Sequence, residues 1–275
     1  MFNYEKYLRM QRFPHIWCTG CGIGTVLKAL LRAIDSLKLS KDEVVMISGI
    51  GCSSRATGYV DFNTLHTTHG RAIAFATGVK LARPKMTVIV VSGDGDATAI
   101  GGNHYIHAAR RNIDITVILF NNHIYGMTGG QSSPTTPQGW FASTAPYGNL
   151  EAPFNTSGLA EAAGASFVAR TTAYHTTQME KFIRRGIEKK GFSLIEVRTP
   201  CPTAFGRRNR LGSPVDMFRA LKENSVTKAQ AEKMKPEELE GRIVTGVLID
   251  VDKLEYAAEY DRLIEKLGKA VSGEW

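Results

Sequence analysis

The sequence predicts an α/β protein with a largely parallel sheet and helices on both faces, and three features carry that prediction. Thr87–Val91 and Ile115–Phe120 are unbroken apolar runs of strand length, the pattern of strands buried on both faces. Segments with apolar residues at helical spacing alternate with such strands along the first three quarters of the chain. Both apolar runs stop at small or polar residues, Ser92-Gly93-Asp94-Gly95-Asp96 and Asn121-Asn122. In open α/β sheets, ligands bind beyond such carboxyl ends of strands.

In order, residues 22–37 read as a helix and Val44–Ser48 as a strand that Gly49-Ile50-Gly51-Cys52-Ser53-Ser54 breaks. Residues 71–82 read as a helix before the first apolar run, and residues 97–111 as a helix after it. Residues 126–155, rich in Gly, Pro, Ser and Thr, are too long for an ordinary connection and predict a functional loop. Helix, strand, helix and strand then follow at 159–163, 166–170, 178–189 and 193–197. After Pro202 the composition becomes more charged. Residues 1–211 read as one domain and 212–275 as a helical C-terminal extension, with helices at 216–223 and 253–267. The second of these puts Leu254, Ala257, Tyr260, Leu263 and Ile264 on one face, for packing on the domain or on a partner subunit.

The chain has 275 residues, 43% hydrophobic and 22% charged, enough to bury a large core without disulfides. No segment is apolar enough for a membrane helix. The opening MFNYEKYLRMQRFPHIW has no apolar signal-peptide region, which predicts a cytoplasmic protein. The net charge is +8, with Arg207-Arg208-Asn209-Arg210 the densest basic run. No aromatic-interleaved basic motif or helix-turn-helix pattern points to nucleic acid.

Gly93-Asp94-Gly95 follows a buried strand and precedes a helix, where glycines and a helix N-terminus favour phosphate. Asp94 would repel a bare phosphate unless a hard cation such as magnesium lay between them. Asn122, at the next strand end, supplies a second hard ligand and the Ile124 carbonyl a third. The chain has no G-x-x-x-x-G-K-[ST], so it is not a P-loop protein, and Thr98 stands where a dinucleotide fingerprint needs Gly or Ala.

The cysteines are Cys18, Cys21, Cys52 and Cys201. In a cytoplasmic protein they point to a metal or redox site rather than to disulfides. Cys18-Thr19-Gly20-Cys21 alone fits zinc, an iron–sulfur ligand pair or a thioredoxin-like pair. Zinc sites normally bring a second close pair, whereas Cys52 and Cys201 stand singly. Cys52 lies in the loop beside the diphosphate motif, where a redox cluster is useful and zinc inert, so iron–sulfur is favoured.

Taken together, several segments resemble the β subunit of 2-oxoacid:ferredoxin oxidoreductases: His15-Ile16-Trp17-Cys18-Thr19-Gly20-Cys21-Gly22, Gly49–Arg55, His66-Thr67-Thr68-His69-Gly70-Arg71-Ala72, Gly93–Asp96, Asn121–Gln131 and Thr199-Pro200-Cys201-Pro202-Thr203. The resemblance implies the thiamine-diphosphate-binding fold of the pyrophosphate-type domain. It implies one [4Fe-4S] cluster on Cys18, Cys21, Cys52 and Cys201, and Mg2+ on Asp94, Asn122 and the Ile124 carbonyl. Ile50, Gly51, Cys52, Ser53, His69, Gly70, Arg71, Ala72, Gly95, Asp96, Gly126 and Met127 would line the thiamine diphosphate. His69 and Ser53 would donate to phosphate oxygens, while Gly70, Gly95 and Gly126 would let the backbone come close. Arg55, next to the cofactor loop, is the candidate to pair with a substrate carboxylate.

The implied reaction is coenzyme A-dependent oxidative decarboxylation of a 2-oxoacid with electrons passing through the cluster to ferredoxin, or its reverse as a carboxylating synthase. The His-Ile-Trp-Cys and His-Thr-Thr-His-Gly-Arg segments look most like the 2-oxoglutarate enzymes, ahead of those for pyruvate or branched 2-oxoacids. The chain has room for one thiamine-binding domain, so an α subunit would supply the pyrimidine-side domain and its glutamate, in a heterodimer or dimer of heterodimers. The basic surface suits an acidic ferredoxin. Two other readings explain less. A non-redox thiamine decarboxylase subunit leaves the cysteines unused, and a zinc-stabilised scaffold leaves Asp94 and Asn122 unused.

Overall fold

A computed structural model describes residues 2–272, the last four by backbone alone. The elements run α1 (Ile23–Ser36), β1 (Val44–Ser48), β2 (Asn63–His66), α2 (Ala72–Ala82), β3 (Thr87–Gly93), α3 (Gly102–Arg110) and β4 (Thr116–Asn121). A short antiparallel ribbon follows, β5 (Ile124–Tyr125) and β6 (Gln131–Ser132). Then come α4 (Thr156–Ala163), β7 (Phe167–Thr172), α5 (Thr176–Glu188) and β8 (Ser193–Arg198). The chain ends with α6 (Pro214–Glu223), β9 (Ser225–Thr227), α7 (Lys228–Ala231), α8 (Pro236–Leu239), β10 (Ile243–Asp250) and α9 (Tyr256–Ser272).

The main sheet has the order β2-β1-β3-β4-β8-β7-β10-β9. From β2 to β7 every pairing is parallel, so the carboxyl ends of these strands share one edge. β1 and β4 are buried along their whole length, as unbroken apolar runs require. One core lies under α1 and α5, where Val26, Leu30 and Ile34 meet Met179 and Ile183. The other lies under α2 and α3, where Ile73 and Ala76 meet Tyr105 and Ala109. Helix α1 buries Ile23, Val26, Leu27, Leu30, Leu31 and Ile34, one face at helical spacing. Helix α6 starts on a capping box between Ser213 and Asp216 with Pro214 in the first turn.

Three expectations need amendment. The helix expected at 97–111 opens as a π-helical turn over Asp96–Ile100 and becomes α-helical only at Gly102. The Thr98 hydroxyl donates to the Asp94 carbonyl at 2.7 Å across this wide turn. Strand β2 is new, because its sequence Asn-Thr-Leu-His lies on the half-exposed edge of the sheet and shows no apolar run. Residues 212–275 hold the expected helices, but β10 between them pairs antiparallel with β7 and so joins the main sheet across the 211/212 boundary. In α9, Ala257 is buried while Tyr260, Leu263 and Ile264 are exposed, so most of that apolar face is left open within the described residues.

Candidate functional site

The shared sheet edge gathers the loops after β1, β3 and β4 around a cavity of about 330 Å³. Ile50, Gly51, Cys52 and Ser53 line it from the first loop, Asp94, Gly95 and Asp96 from the second, and Asn122, Ile124, Gly126 and Met127 from the third. His69, beyond β2, completes the expected set on this wall. Gly70, Arg71 and Ala72 do not line the cavity, since the chain turns into α2 there. Arg55 is exposed and likewise lies outside the lining.

Asp94 is buried at 2% exposure. The Ser133 and Thr135 hydroxyls each donate to its Oδ2 at 2.5 Å, and no side-chain donor reaches Oδ1. Burial raises the Asp94 pKa, opposed by these two hydroxyls. A buried carboxylate with one oxygen uncommitted suits a hard cation. Asn122 lies across the cavity, its Oδ1 accepting the Ile124 N–H at 3.3 Å. Ser133 and Thr135 come from the long loop at 126–155, where no periodicity marks them.

Asp96 faces the same cavity, but protein donors occupy its carboxylate. Oδ1 accepts the Gly70 N–H at 2.7 Å and the Ile50 N–H at 3.2 Å, and Oδ2 accepts the Ser92 hydroxyl at 2.5 Å. His69 Nδ1 lies 2.7 Å from Oδ1, off the line of a hydrogen bond. One carboxylate thus ties the loops after β1 and β2 to that after β3.

The glycines serve packing more than ligand approach. A Cβ on Gly95 would lie 2.2 Å from the Tyr125 ring, and one on Gly70, at φ +71°, 2.4 Å from Ile100. Tyr125, not foreseen from sequence, therefore stands against the Gly93–Asp96 loop, and its hydroxyl donates to the Gly95 carbonyl at 3.2 Å.

Cys18, Cys21, Cys52 and Cys201 line a second, smaller cavity of about 80 Å³. It shares Cys52, Asn122, Gly126 and Met127 with the first. A Cβ on Gly126 would sit 3.4 Å from Cys201 Sγ and 3.7 Å from Cys52 Sγ, in ordinary contact with both, so this wall lies directly against the sulfurs. Burial pushes the Cys21 thiol up to about 12 and the Cys52 thiol up to about 11. The neighbouring cysteines add to both shifts. Among the described residues, no group of three His, Cys, Asp or Glu side chains closes tightly enough for a single metal ion.

Beneath the edge, Glu196 is 1% exposed in β8. Arg170 Nε meets it at 2.8 Å, Arg198 at 3.5 Å, and Ser157 and Asn121 donate at 2.5 and 2.8 Å. Burial alone would raise its pKa, but the two guanidiniums hold it well below the usual carboxylate range. With the folded pKa depressed, this contribution to stability is complete above the unfolded value of about 4.3 and is lost as pH falls through the lower folded value. Glu196→Ala is expected to cost about 3 kcal/mol in urea unfolding at neutral pH, because it leaves two half-buried guanidiniums without their carboxylate. The deficit should shrink as the pH is lowered below 4. A cost under about 1 kcal/mol would show that the network is solvated.

Residues 49–197 match the family of thiamine pyrophosphate enzyme C-terminal TPP binding domains. The chain is 55% identical over 267 residues to the 2-oxoglutarate synthase subunit KorB of Methanothermobacter marburgensis, covering 97% of this chain and 94% of that one. It is 54% identical over 262 residues to the same subunit of Methanocaldococcus jannaschii, covering 95% and 97%. The 2-oxoglutarate:ferredoxin oxidoreductase of Magnetococcus marinus, solved with 2-oxoglutarate, coenzyme A and succinyl-CoA bound, superposes with a TM-score of 0.85 at 33% identity, covering 97% of this chain and 91% of that one. With a cavity at the sheet edge, a cysteine-lined cavity sharing its wall and these relatives, the chain belongs to the β subunits of the 2-oxoacid:ferredoxin oxidoreductases.

Proposed function

We propose that the chain binds thiamine diphosphate through Mg2+ and holds one [4Fe-4S] cluster, as the β subunit of an enzyme that oxidatively decarboxylates 2-oxoglutarate with coenzyme A and passes the electrons to ferredoxin. One observation carries the reading. Four cysteines from three distant segments gather in a cavity that shares Cys52, Asn122, Gly126 and Met127 with the cavity of Asp94. The 2-oxoglutarate preference rests on the similarity to the KorB subunits.

When bound, thiamine diphosphate supplies the electron sink that lets carbon dioxide leave a 2-oxoacid. The chain's own residues do the holding. Asp94 Oδ1, Asn122 and the Ile124 carbonyl would take Mg2+, while Ser133 and Thr135 fix the Asp94 rotamer. Asp96 holds the Ile50 and Gly70 backbones in place, so Ile50–Ser53 and the neighbouring His69 are presented as one wall. Gly70, Arg71, Ala72 and Arg55 would reach a ligand only where it extends beyond this cavity, toward the α subunit. The carboxylates lining the cavity are Asp94, whose free oxygen would go to Mg2+, and Asp96, held by protein donors, so the glutamate would come from that partner. A heterodimer, alone or paired, meets this need. No helix of the described residues is long and apolar enough to cross a membrane. A reducing cytoplasm is where such a cluster would survive.

Iron and acid-labile sulfide analysis of the anaerobically purified complex tests the cluster. The expected result is about four of each per β chain. Zinc in place of iron would contradict it.

A further inference from the structure

Arg207, Arg208 and Arg210 are exposed, and no acidic side chain among the described residues pairs with any of them. They are not a loose tail. A π-helical turn over Pro202–Gly206 leads directly from Cys201 to Arg207. Asn209 then pins the run, its Oδ1 accepting the Phe141 N–H at 2.8 Å and its Nδ2 donating to the Phe141 and Phe205 carbonyls at 3.0 Å. Just beyond the run, Pro214 packs on the Cys18–Cys21 loop, so closely that a Cβ on Gly20 would lie 2.2 Å from the Pro214 Cβ. Along the chain the arginines therefore run from Cys201 to the residue that packs on the Cys18–Cys21 loop.

Cys18, in the loop on which Pro214 packs, is exposed, whereas Cys21, Cys52 and Cys201 are half-buried. Ile16, on the Cys18 side of the cavity, is 59% exposed. Next to the run, an open groove of about 780 Å³ is lined by Trp140, Phe141, Arg208 and Arg210. The face thus joins a small apolar spot, the most accessible edge of the cysteine cavity and a fixed, unneutralised positive rim. Such a combination suits a small, transient interface steered by charge.

We infer that this face docks an acidic one-electron carrier protein, with Cys18 at the edge where the electron leaves and Arg207, Arg208 and Arg210 steering the approach. The inference rests on the cysteines holding a redox cluster. Each encounter oxidises the cluster by one electron and reduces the carrier by one. The two-electron oxidation of one 2-oxoacid therefore takes two encounters.

The test is the triple variant R207Q/R208Q/R210Q in the complete enzyme. Its 2-oxoglutarate-dependent reduction of a small viologen dye should match the unmodified enzyme, since a dye needs no docking face. The KM for an acidic ferredoxin should rise by about tenfold at low salt, and its dependence on salt should flatten. Calorimetric binding of the oxidised ferredoxin should weaken by a similar factor, independently of turnover. Unchanged ferredoxin affinity and salt dependence with normal dye reduction would overturn the docking site alone. Failure of the variant to assemble with the α subunit would do so too, by assigning the face to that subunit. An unmodified enzyme that holds no iron and reduces no dye would overturn the redox reading itself.

Discussion

Asp94→Asn is expected to abolish the binding of thiamine diphosphate while making the ligand-free chain more stable. The carboxylate is buried, both loop hydroxyls fall on its Oδ2, and its pKa is raised by burial, so its charge is costly until a cation arrives. Asparagine keeps the shape and removes the charge. Its amide can still meet the Ser133 and Thr135 hydroxyls, but a neutral oxygen is a poor ligand for Mg2+. The affinity for magnesium and thiamine diphosphate together should fall by at least about 100-fold, the upper end of what losing an outer-shell partner costs. Thermal melting reads both effects. The variant should melt higher than the unmodified chain without ligand, and adding magnesium with thiamine diphosphate should no longer raise the midpoint. A variant that melts lower and keeps its ligand-induced shift would assign Asp94 a structural role only.

Cys52→Ser should remove the iron and leave the diphosphate site intact. Cys52 is the cysteine common to both cavities, and the Trp17 indole fixes its carbonyl by donating at 2.8 Å. Serine fills nearly the same space but offers a hard oxygen where iron–sulfur chemistry needs a thiolate. The complex should lose its brown colour and fall to background in dye reduction. The melting shift with magnesium and thiamine diphosphate should persist. The two variants thus dissociate in opposite directions, one losing cofactor binding and the other electron transfer. Full iron content in Cys52→Ser would remove this residue from the ligand set.

What could be read from the sequence follows from which signals are local. β3 and β4 announce themselves because a strand covered on both faces must be apolar throughout, and the residues that stop them are the ones the site uses, Asp94 and Asn122. The cysteine segments are legible for a similar reason, since thiols brought from separate loops have few other uses in a reducing compartment. Ser133 and Thr135 were illegible because a loop hydroxyl acquires its role only when the chain folds back onto Asp94. Asp96, expected beside the cofactor, does line the cavity, but no local signal shows that its carboxylate binds Ile50, Gly70 and Ser92. Glu196 did carry a signal, as a lone acid inside the buried run of β8, where a charge implies buried partners. β10 was hidden by the charged residues around it and by Gly246, at φ +139°, which interrupts its β-branched pattern.

The most direct test of the central claim is an anaerobic spectrum of the chain with its α subunit, recorded before and after 2-oxoglutarate is added with coenzyme A. The account predicts that the broad iron–sulfur absorption bleaches on addition, that a paramagnetic signal of the reduced cluster appears, and that the bleaching requires thiamine diphosphate. A colourless complex, or a coloured one whose spectrum 2-oxoglutarate leaves unchanged while thiamine diphosphate is bound, would contradict it.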